Sequence, residues 1–324
     1  MFFDLRSLFT TIFISFLFSI IIVPRINIIG KKYNFYDIPS SRKKHSEPKV
    51  RIGGVGIYIS FCFGLIFSYL LFKNSYLMYL DNIKLIITLI IGTLSYFLLG
   101  LLDDIYKISF KYRLFIQFII AFLIWLNIDI TNIDIMVFTF NFNIVLNNFF
   151  SLLFTLFWIV GVINAINWLD GLDGLSSGYV TIICIPLIFL AFYFENYYLL
   201  PFILSLIGSC IGFLRYNIYP SKILMGDGGS NFLGSFLAIT SILAIKSSSD
   251  NLYLLPSLFL LSMPILDMAF VIFTRFMNKT SPFLPDNNHL HHRIMNSGFS
   301  HKNTVYIIHS FTIFLSTIIC VLYY

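Results

Sequence analysis

The sequence predicts an all-α polytopic membrane protein of about ten transmembrane helices, and three observations carry that prediction. Apolar residues make up 58% of the 324-residue chain, with Phe alone occurring 38 times. Charged residues make up only 11%, against roughly 25% in a typical soluble domain. The apolar residues also gather in long runs divided by loop signals, and about 20 such residues suffice to cross a bilayer as a helix.

The runs lie near residues 7–24, 52–72, 84–102, 114–127, 148–165, 178–195, 198–214, 230–246, 253–275 and 304–323. Only Arg6 precedes the first, and no small-residue cleavage site follows it, so Ser7–Val23 reads as an uncleaved span. Between the fourth and fifth runs, Asn127–Asn148 alternates polar residues with Ile133, Ile135, Val137, Phe138 and Phe140. That period of two predicts a small extracytoplasmic β-hairpin. Cys62, Cys184, Cys210 and Cys320 fall in separate apolar runs without metal spacing and read as small core residues. With no internal repeat and no linker, residues 1–324 form one integral membrane domain.

Charge sets the orientation. Of the 21 Lys and Arg residues, 17 lie in the loops 25–51, 103–113, 215–229 and 275–303, and the rest are Arg6, Lys73, Lys84 and Lys246. The positive-inside rule puts the richer side in the cytoplasm and both termini outside. The net charge of +6 is then a topology signal and calls for no nucleic-acid partner.

The unusual polar clusters fall on that same side: Asp37–Arg51, Asp103–Asp104, Asn164–Asp173, Gly226–Ser230 and Ser281–His292. A transporter or flippase, the rival class, would place ionisable groups along a midplane pathway. The one clear intramembrane acid is Asp267, eight residues before Arg275 on a similar helix face. It reads as structural or as lining a lipid groove, apart from the chemistry. Polar groups gathered at one membrane face suit one soluble and one lipid-borne substrate.

Asp103 and Asp104 close the third run, where the helix dipole already places partial negative charge, so two carboxylates there call for a cation. The plain alternative is acids facing water at a helix end. Asn164, Asn167, Asp170 and Asp173 recur every three residues, and a tight helical turn would stack their oxygens on one face. Gly171, Gly174 and Gly178 leave room for a ligand near the backbone. Asp227 precedes a Gly-Gly-Ser helix start, where free N–H groups and a carboxylate suit phosphate bridged by a hard cation. No Lys follows those glycines, so this is no Walker motif. His289, His291 and His292 lie in an oxygen-rich setting without a nearby Cys, which favours imidazoles on a pyrophosphate, with zinc the alternative. Arg42, Lys43, His45 and Arg51 add cations beside the Gly-rich start at Gly53, and part of their role is to set topology.

In order, these motifs are Asp-x-Pro-x-x-Arg-Lys-x-His before Gly-Gly-x-Gly, then LDD, NxxNxxDGxDGL, MGDxGS and SPFxPDxxHxHH. From Asp37 to about Phe299 the chain resembles the WecA/MraY family of polyprenyl-phosphate N-acetylhexosamine-1-phosphate transferases, and SPFLPDNNHLHH resembles the WecA branch. The resemblance implies a reaction in a bacterial cytoplasmic membrane. UDP-N-acetylhexosamine and polyprenyl phosphate would give polyprenyl-diphosphate-sugar and UMP, with Mg²⁺, or Mn²⁺ as a substitute. The MraY-type transfer of phospho-MurNAc-pentapeptide is the alternative within the family, and a homo-oligomer is compatible with either.

Carried over by motif, Asp227 would ligate the metal with Asn167 as a second ligand. Asp103 and Asp104 would activate or position the lipid phosphate. Asp170, Asp173 and Asn217 would lie in the nucleotide pocket, and His289, His291 and His292 would hold the sugar-side phosphates. Arg42, Lys43, His45 and Asn164 fall among the substrate-binding positions. One position departs from the pattern: Leu224 stands where the family often has an aromatic residue able to stack on uracil.

Overall fold

The computed structural model describes residues 5–37, 48–72, 81–128, 130, 132–137, 140–247, 251–279 and 288–323. Arg42, Lys43, His45 and the Ser281–Asn287 part of the last motif lie outside them. The long helices are α1 (Leu5–Lys32), α2 (Gly53–Leu71), α3 (Ile83–Tyr106), α4 (Phe110–Trp125), α5 (Asn148–Leu169), α6 (Leu175–Tyr193), α7 (Leu200–Asn217) and α8 (Gly226–Leu243). The bent pair α9 (Leu254–Leu260) and α10 (Ser262–Met277), the short α11 (Leu290–Asn296) and α12 (His301–Leu322) follow.

A helix or a bent pair answers each predicted run, but not all are membrane spans by length and composition. Seven helices are long and apolar enough to cross, or eight if the bent pair is one span. The two that differ are α4 and α8. At 16 residues and 1.5 Å per residue, α4 reaches only about 24 Å. In α8 every residue except Asp227 is buried. It is packed among α2, α3, α5 and α6, so it can open with the polar run Gly-Asp-Gly-Gly-Ser-Asn. The first run also extends further than expected, through Pro24 to Lys32.

The predicted ninth span is two helices meeting at 70°. Pro264 in the first turn of α10 has no N–H to give, and its ring opposes the carbonyl of Leu260. That carbonyl instead accepts the Tyr179 hydroxyl at 3.0 Å, which satisfies a group that lipid could not.

Small residues set the packing of α1, α2 and α7. Ser15 stands against Gly64 and Gly208, and Ser19 against Gly212. The Thr11 and Ser68 hydroxyls are 2.5 Å apart, and Ser19 donates to the Ser209 carbonyl at 2.8 Å. Apolar side chains gain little by leaving lipid for protein, so close backbone approach and interhelical hydrogen bonds hold such helices together.

The predicted hairpin forms as β3 (Asn132–Val137) antiparallel to β4 (Phe140–Val145), and β5 (Asn251–Tyr253) joins β3 in parallel. The sheet links the end of α4 to the start of α5. The polar motifs sit at the other ends of those helices.

Candidate active site

Two short strands, β1 (Tyr36–Asp37) and β2 (Lys49–Val50), pair antiparallel. The chain after β2 then zips onto the segment before α8. Leu224 N–H donates to the Val50 carbonyl at 2.8 Å, and Gly53 and Gly54 donate to Leu224 and Met225 at 2.9 and 2.7 Å. This ladder brings the starts of α2 and α8 into backbone contact. Gly226 adopts φ +79°, and a Cβ there would overlap the Arg51 carbonyl, so only glycine fits. Arg51 and Asp227 are thereby fixed side by side.

Asp104 answers the charge problem raised by its place at the end of α3. Its Oδ1 accepts the Asp227 N–H at 2.9 Å and its Oδ2 the Gly228 N–H at 2.8 Å. The carboxylate caps the positive end of α8 from a neighbouring helix. Arg51 Nε lies 3.2 Å from the same carboxylate, while its Nη2 reaches Asp227 at 2.6 Å and its Nη1 lies 3.9 Å from Asp37. Burial works against the Arg51 charge, but the carboxylates of Asp227, Asp104 and Asp37 outweigh it and hold its pKa above the ordinary value.

Asn167 Nδ2 donates to Asp227 Oδ1 at 2.9 Å and lies 2.7 Å from Ser230 Oγ. Asp170 accepts a hydrogen bond from the Ser176 hydroxyl. Burial, with the nearby charges of Asp227 and Asp104, pushes the Asp170 pKa up to about 7, against the opposing effects of Ser176 and Arg51. The cluster is therefore oxygen-rich and carries more negative charge than Arg51 balances. A hard divalent cation suits that donor set, with phosphate or water completing its shell. Asp227, Asn167 and Asp170 are the side chains able to hold it. No ready-made cage of three or more His, Cys, Asp or Glu side chains occurs among the described residues, and the His trio does not form a zinc site among them.

Two expectations need correction. Asn164, Asn167, Asp170 and Asp173 do not stack on one face. The helix is α rather than 3₁₀ and ends at Leu169, so steps of three residues rotate by about 300° and the set fans out. Asn164 turns to Gln117 Oε1 at 2.8 Å. Asp173 accepts the Ser221 N–H at 2.9 Å and pairs with Lys49 at 3.4 Å. Nor do the adjacent acids act as one unit: Asp103 forms an ion pair with Arg113. Arg113 and Gln117 are one turn apart on α4, so this face of α4 takes both Asp103 and Asn164 away from the Asp227 cluster. Asn217 accepts the Gly174 N–H and donates to the Ile223 carbonyl, each at 3.0 Å. With Asp173 it braces two neighbouring loops. Leu224 is half-buried, and its backbone serves the ladder described above.

The histidines reach the site through a residue that the sequence sets apart. Asp267, buried in α10, accepts the Leu290 N–H at 2.7 Å and Arg293 Nη2 at 2.9 Å on Oδ1, and its Oδ2 lies 3.3 Å from His289 Nδ1. It is the anchor of the His motif, and the Arg275 guanidinium lies 5.3 Å from the Trp168 ring centre. His289 meets Trp168 edge-on at 5.0 Å. The His291 ring is 5.9 Å from His289 and 4.3 Å from His292. A Cβ on Gly171 would overlap the buried His291 ring, so the cluster rests on the loop that carries Asp170.

Several residues of the site were not singled out by sequence: Lys49, Arg113, Gln117 and Ser176. Arg51 carried a signal, a cation two residues before Gly-Gly. The others are common polar residues whose partners are distant in sequence.

A model described as glycosyl transferase family 4 matches residues 86–245, from α3 through α8. A probable undecaprenyl-phosphate N-acetylglucosaminyl 1-phosphate transferase of Bacillus subtilis (strain 168) is 33% identical over 299 residues, which is 91% of this chain and 79% of that protein. Undecaprenyl-phosphate alpha-N-acetylglucosaminyl 1-phosphate transferases of Thermotoga maritima and Escherichia coli O157:H7 are 28% and 26% identical, covering 89% and 94% of this chain and 82% and 81% of their own. The family match runs through both Asp104 and Asp227, the Bacillus subtilis relative is similar over 91% of this chain, and the chain belongs to glycosyl transferase family 4.

Proposed function

We propose that this protein transfers N-acetylhexosamine 1-phosphate from a UDP-N-acetylhexosamine to polyprenyl phosphate on the cytoplasmic face of a bacterial inner membrane. A lipid phosphate oxygen attacks the sugar-bearing phosphorus, the bond to the bridging oxygen breaks, and UMP leaves. No water or redox partner is consumed. The relatives' names make N-acetylglucosamine the sugar to assay first.

The observation that carries this reading is the meeting of Arg51, Asp104, Asn167 and Asp227 at the start of α8. Phosphoryl transfer is chiefly positioning and neutralisation of charge. Arg51 neutralises phosphate oxygens and is aligned by Asp227 and Asp104. The Asp104 oxygens are taken by backbone amides, which makes this residue the organiser of α8. The lipid phosphate is already ionised, so the attack requires no general base. Asp227, Asn167 and Asp170 would hold Mg²⁺, which supplies Lewis-acid stabilisation of charge on the diphosphate. His289, His291 and His292 contact the sugar-side phosphate across the Asp170 loop.

Purified protein incubated with UDP-sugars and polyprenyl phosphate tests the proposal. UMP should form with a UDP-N-acetylhexosamine only when lipid and Mg²⁺ are both present. Release without lipid, or release that persists in EDTA, would overturn it.

A further inference from the structure

We infer that Asp267 is a positioning residue for the histidine cluster, holding His289 by its Nδ1 edge and Arg293 by its guanidinium so that the opposite imidazole edge serves the sugar-nucleotide diphosphate. The inference rests on the transferase reading above for the identity of that ligand.

Asp267 uses both of its oxygens on one short segment. Oδ1 takes the Leu290 N–H at 2.7 Å and Arg293 Nη2 at 2.9 Å, and Oδ2 faces His289 Nδ1 at 3.3 Å. A carboxylate can only accept hydrogen bonds, so the imidazole carries its hydrogen on Nδ1 and leaves Nε2 for another partner. The same contacts fix the backbone, because Leu290 is the first residue of α11. From His289 the rings run through His291 and His292. His289 leans on Trp168, next to Asn167, and His291 lies on Gly171, next to Asp170. Arg293 is clamped on its other face by Phe270, 4.1 Å from the ring centre. A carboxylate in an apolar helix is costly, and here the His motif supplies three N–H groups to it.

Asp267→Asn keeps the size but puts an amide where three N–H donors must be received. Its kcat/KM for the UDP-sugar should fall by about ten- to a hundredfold, the usual effect of losing a carboxylate that orients a histidine. The KM for polyprenyl phosphate should stay within about twofold, because Asp267 acts only through the histidines. His289→Ala should cost about as much, and the double variant should lie within about threefold of His289→Ala alone, since one residue acts through the other. Losses that multiply in the double variant would overturn the proposal. Should Asp267→Asn fail to fold, the same cycle is run with Asp267→Glu, whose longer arm displaces the imidazole. Should the wild-type protein release no UMP, the transferase reading falls, and the Asp267–His289 link is judged alone. In ¹⁵N-histidine NMR the resonance that His289→Ala removes should report an Nδ1–H tautomer, and Asp267→Asn should abolish that tautomer. An unchanged tautomer would sink the link.

Discussion

Asp104 receives two amides of the first turn of α8, those of Asp227 and Gly228, one on each carboxylate oxygen. The C-terminal end of α3 thus supplies a negative group to the positive end of α8, and the backbone that carries Asp227 is fixed by it. Asp104→Asn would turn an amide N–H toward one of these donors. It should lower stability by about 1–2 kcal/mol, the usual cost of a lost helix cap, and UMP release by orders of magnitude. Asp103→Asn keeps a hydrogen bond to Arg113 and lies outside the junction, so it should be clearly milder in both respects. Thermal unfolding in detergent and UMP release on the two variants decide the order, and equal losses would contradict it.

Arg51 occupies the space between Asp104 and Asp227, where a divalent cation would also be drawn. Removing its charge should therefore tighten metal binding while weakening phosphate binding. Arg51→Gln should bind Mn²⁺ at least about threefold more tightly, as expected when a nearby like charge is removed, and should raise the KM for the UDP-sugar. Mn²⁺ titration followed by EPR reads the first effect without reference to turnover. Weaker Mn²⁺ binding would mean that Arg51 chiefly holds the carboxylates in place.

The helices were legible because lipid imposes a simple rule: long apolar runs become helices, and charge orients them. The rule fails where protein replaces lipid. α8 is enclosed by other helices and can begin with glycines and an acid, and Pro264 bends what composition reads as one span. The site was legible as a set of motifs, since Asp104, Asn167, Asp170 and Asp227 do meet. Their division of labour was not. Nothing local to LDD says that Asp103 turns to Arg113 while Asp104 caps α8. Asp267 looked isolated because its partners lie 22 to 26 residues away in the sequence.

Asp170 provides a pH signature. Its carboxyl titrates near 7 in the folded protein, raised from an ordinary 3.8 chiefly by burial. A raised folded-state value favours the protonated form, so its contribution to stability is complete below about 3.8 and is lost as pH rises through about 7. In EDTA, the wild-type protein should therefore lose stability relative to Asp170→Asn over that window. A metal prefers the ionised carboxylate, so Mn²⁺ affinity should rise with pH up to about 7 and level off above it. Unfolding curves that run parallel for the two proteins from pH 4 to 8 would contradict the assignment.

Orientation can be tested at described surface positions. Ser297 lies in the basic 275–303 loop and Asn147 beside the hairpin, and both are exposed. In a background with Cys62, Cys184, Cys210 and Cys320 replaced, Asn147→Cys should react with an impermeant thiol reagent in intact cells. Ser297→Cys should react only after the membrane is breached. Labelling of Ser297→Cys from outside would reverse the expected topology and overturn the proposed cytoplasmic placement of the site.

Gly171 and His291 supply the sharpest test of how the last motif meets the site. A Cβ at Gly171 would overlap the His291 ring, and that ring is 2% exposed and hemmed in by His289 and His292. The backbone at Gly171 is not among the positive-φ glycines, so Ala is tolerable there as a backbone and its effect falls on the histidine. Gly171→Ala should fold normally and lower kcat/KM for the UDP-sugar by about ten- to a hundredfold, as a displacement of about 1 Å in a binding group does. Gly161→Ala is the control: its Cβ would find only the Met268 methyl at 3.9 Å, and its activity should match the wild type. If Gly171→Ala were as active as Gly161→Ala, the histidines could not be resting on the Asp170 loop during turnover. Their proposed contact with the sugar-side phosphate would then have to be made in a different arrangement.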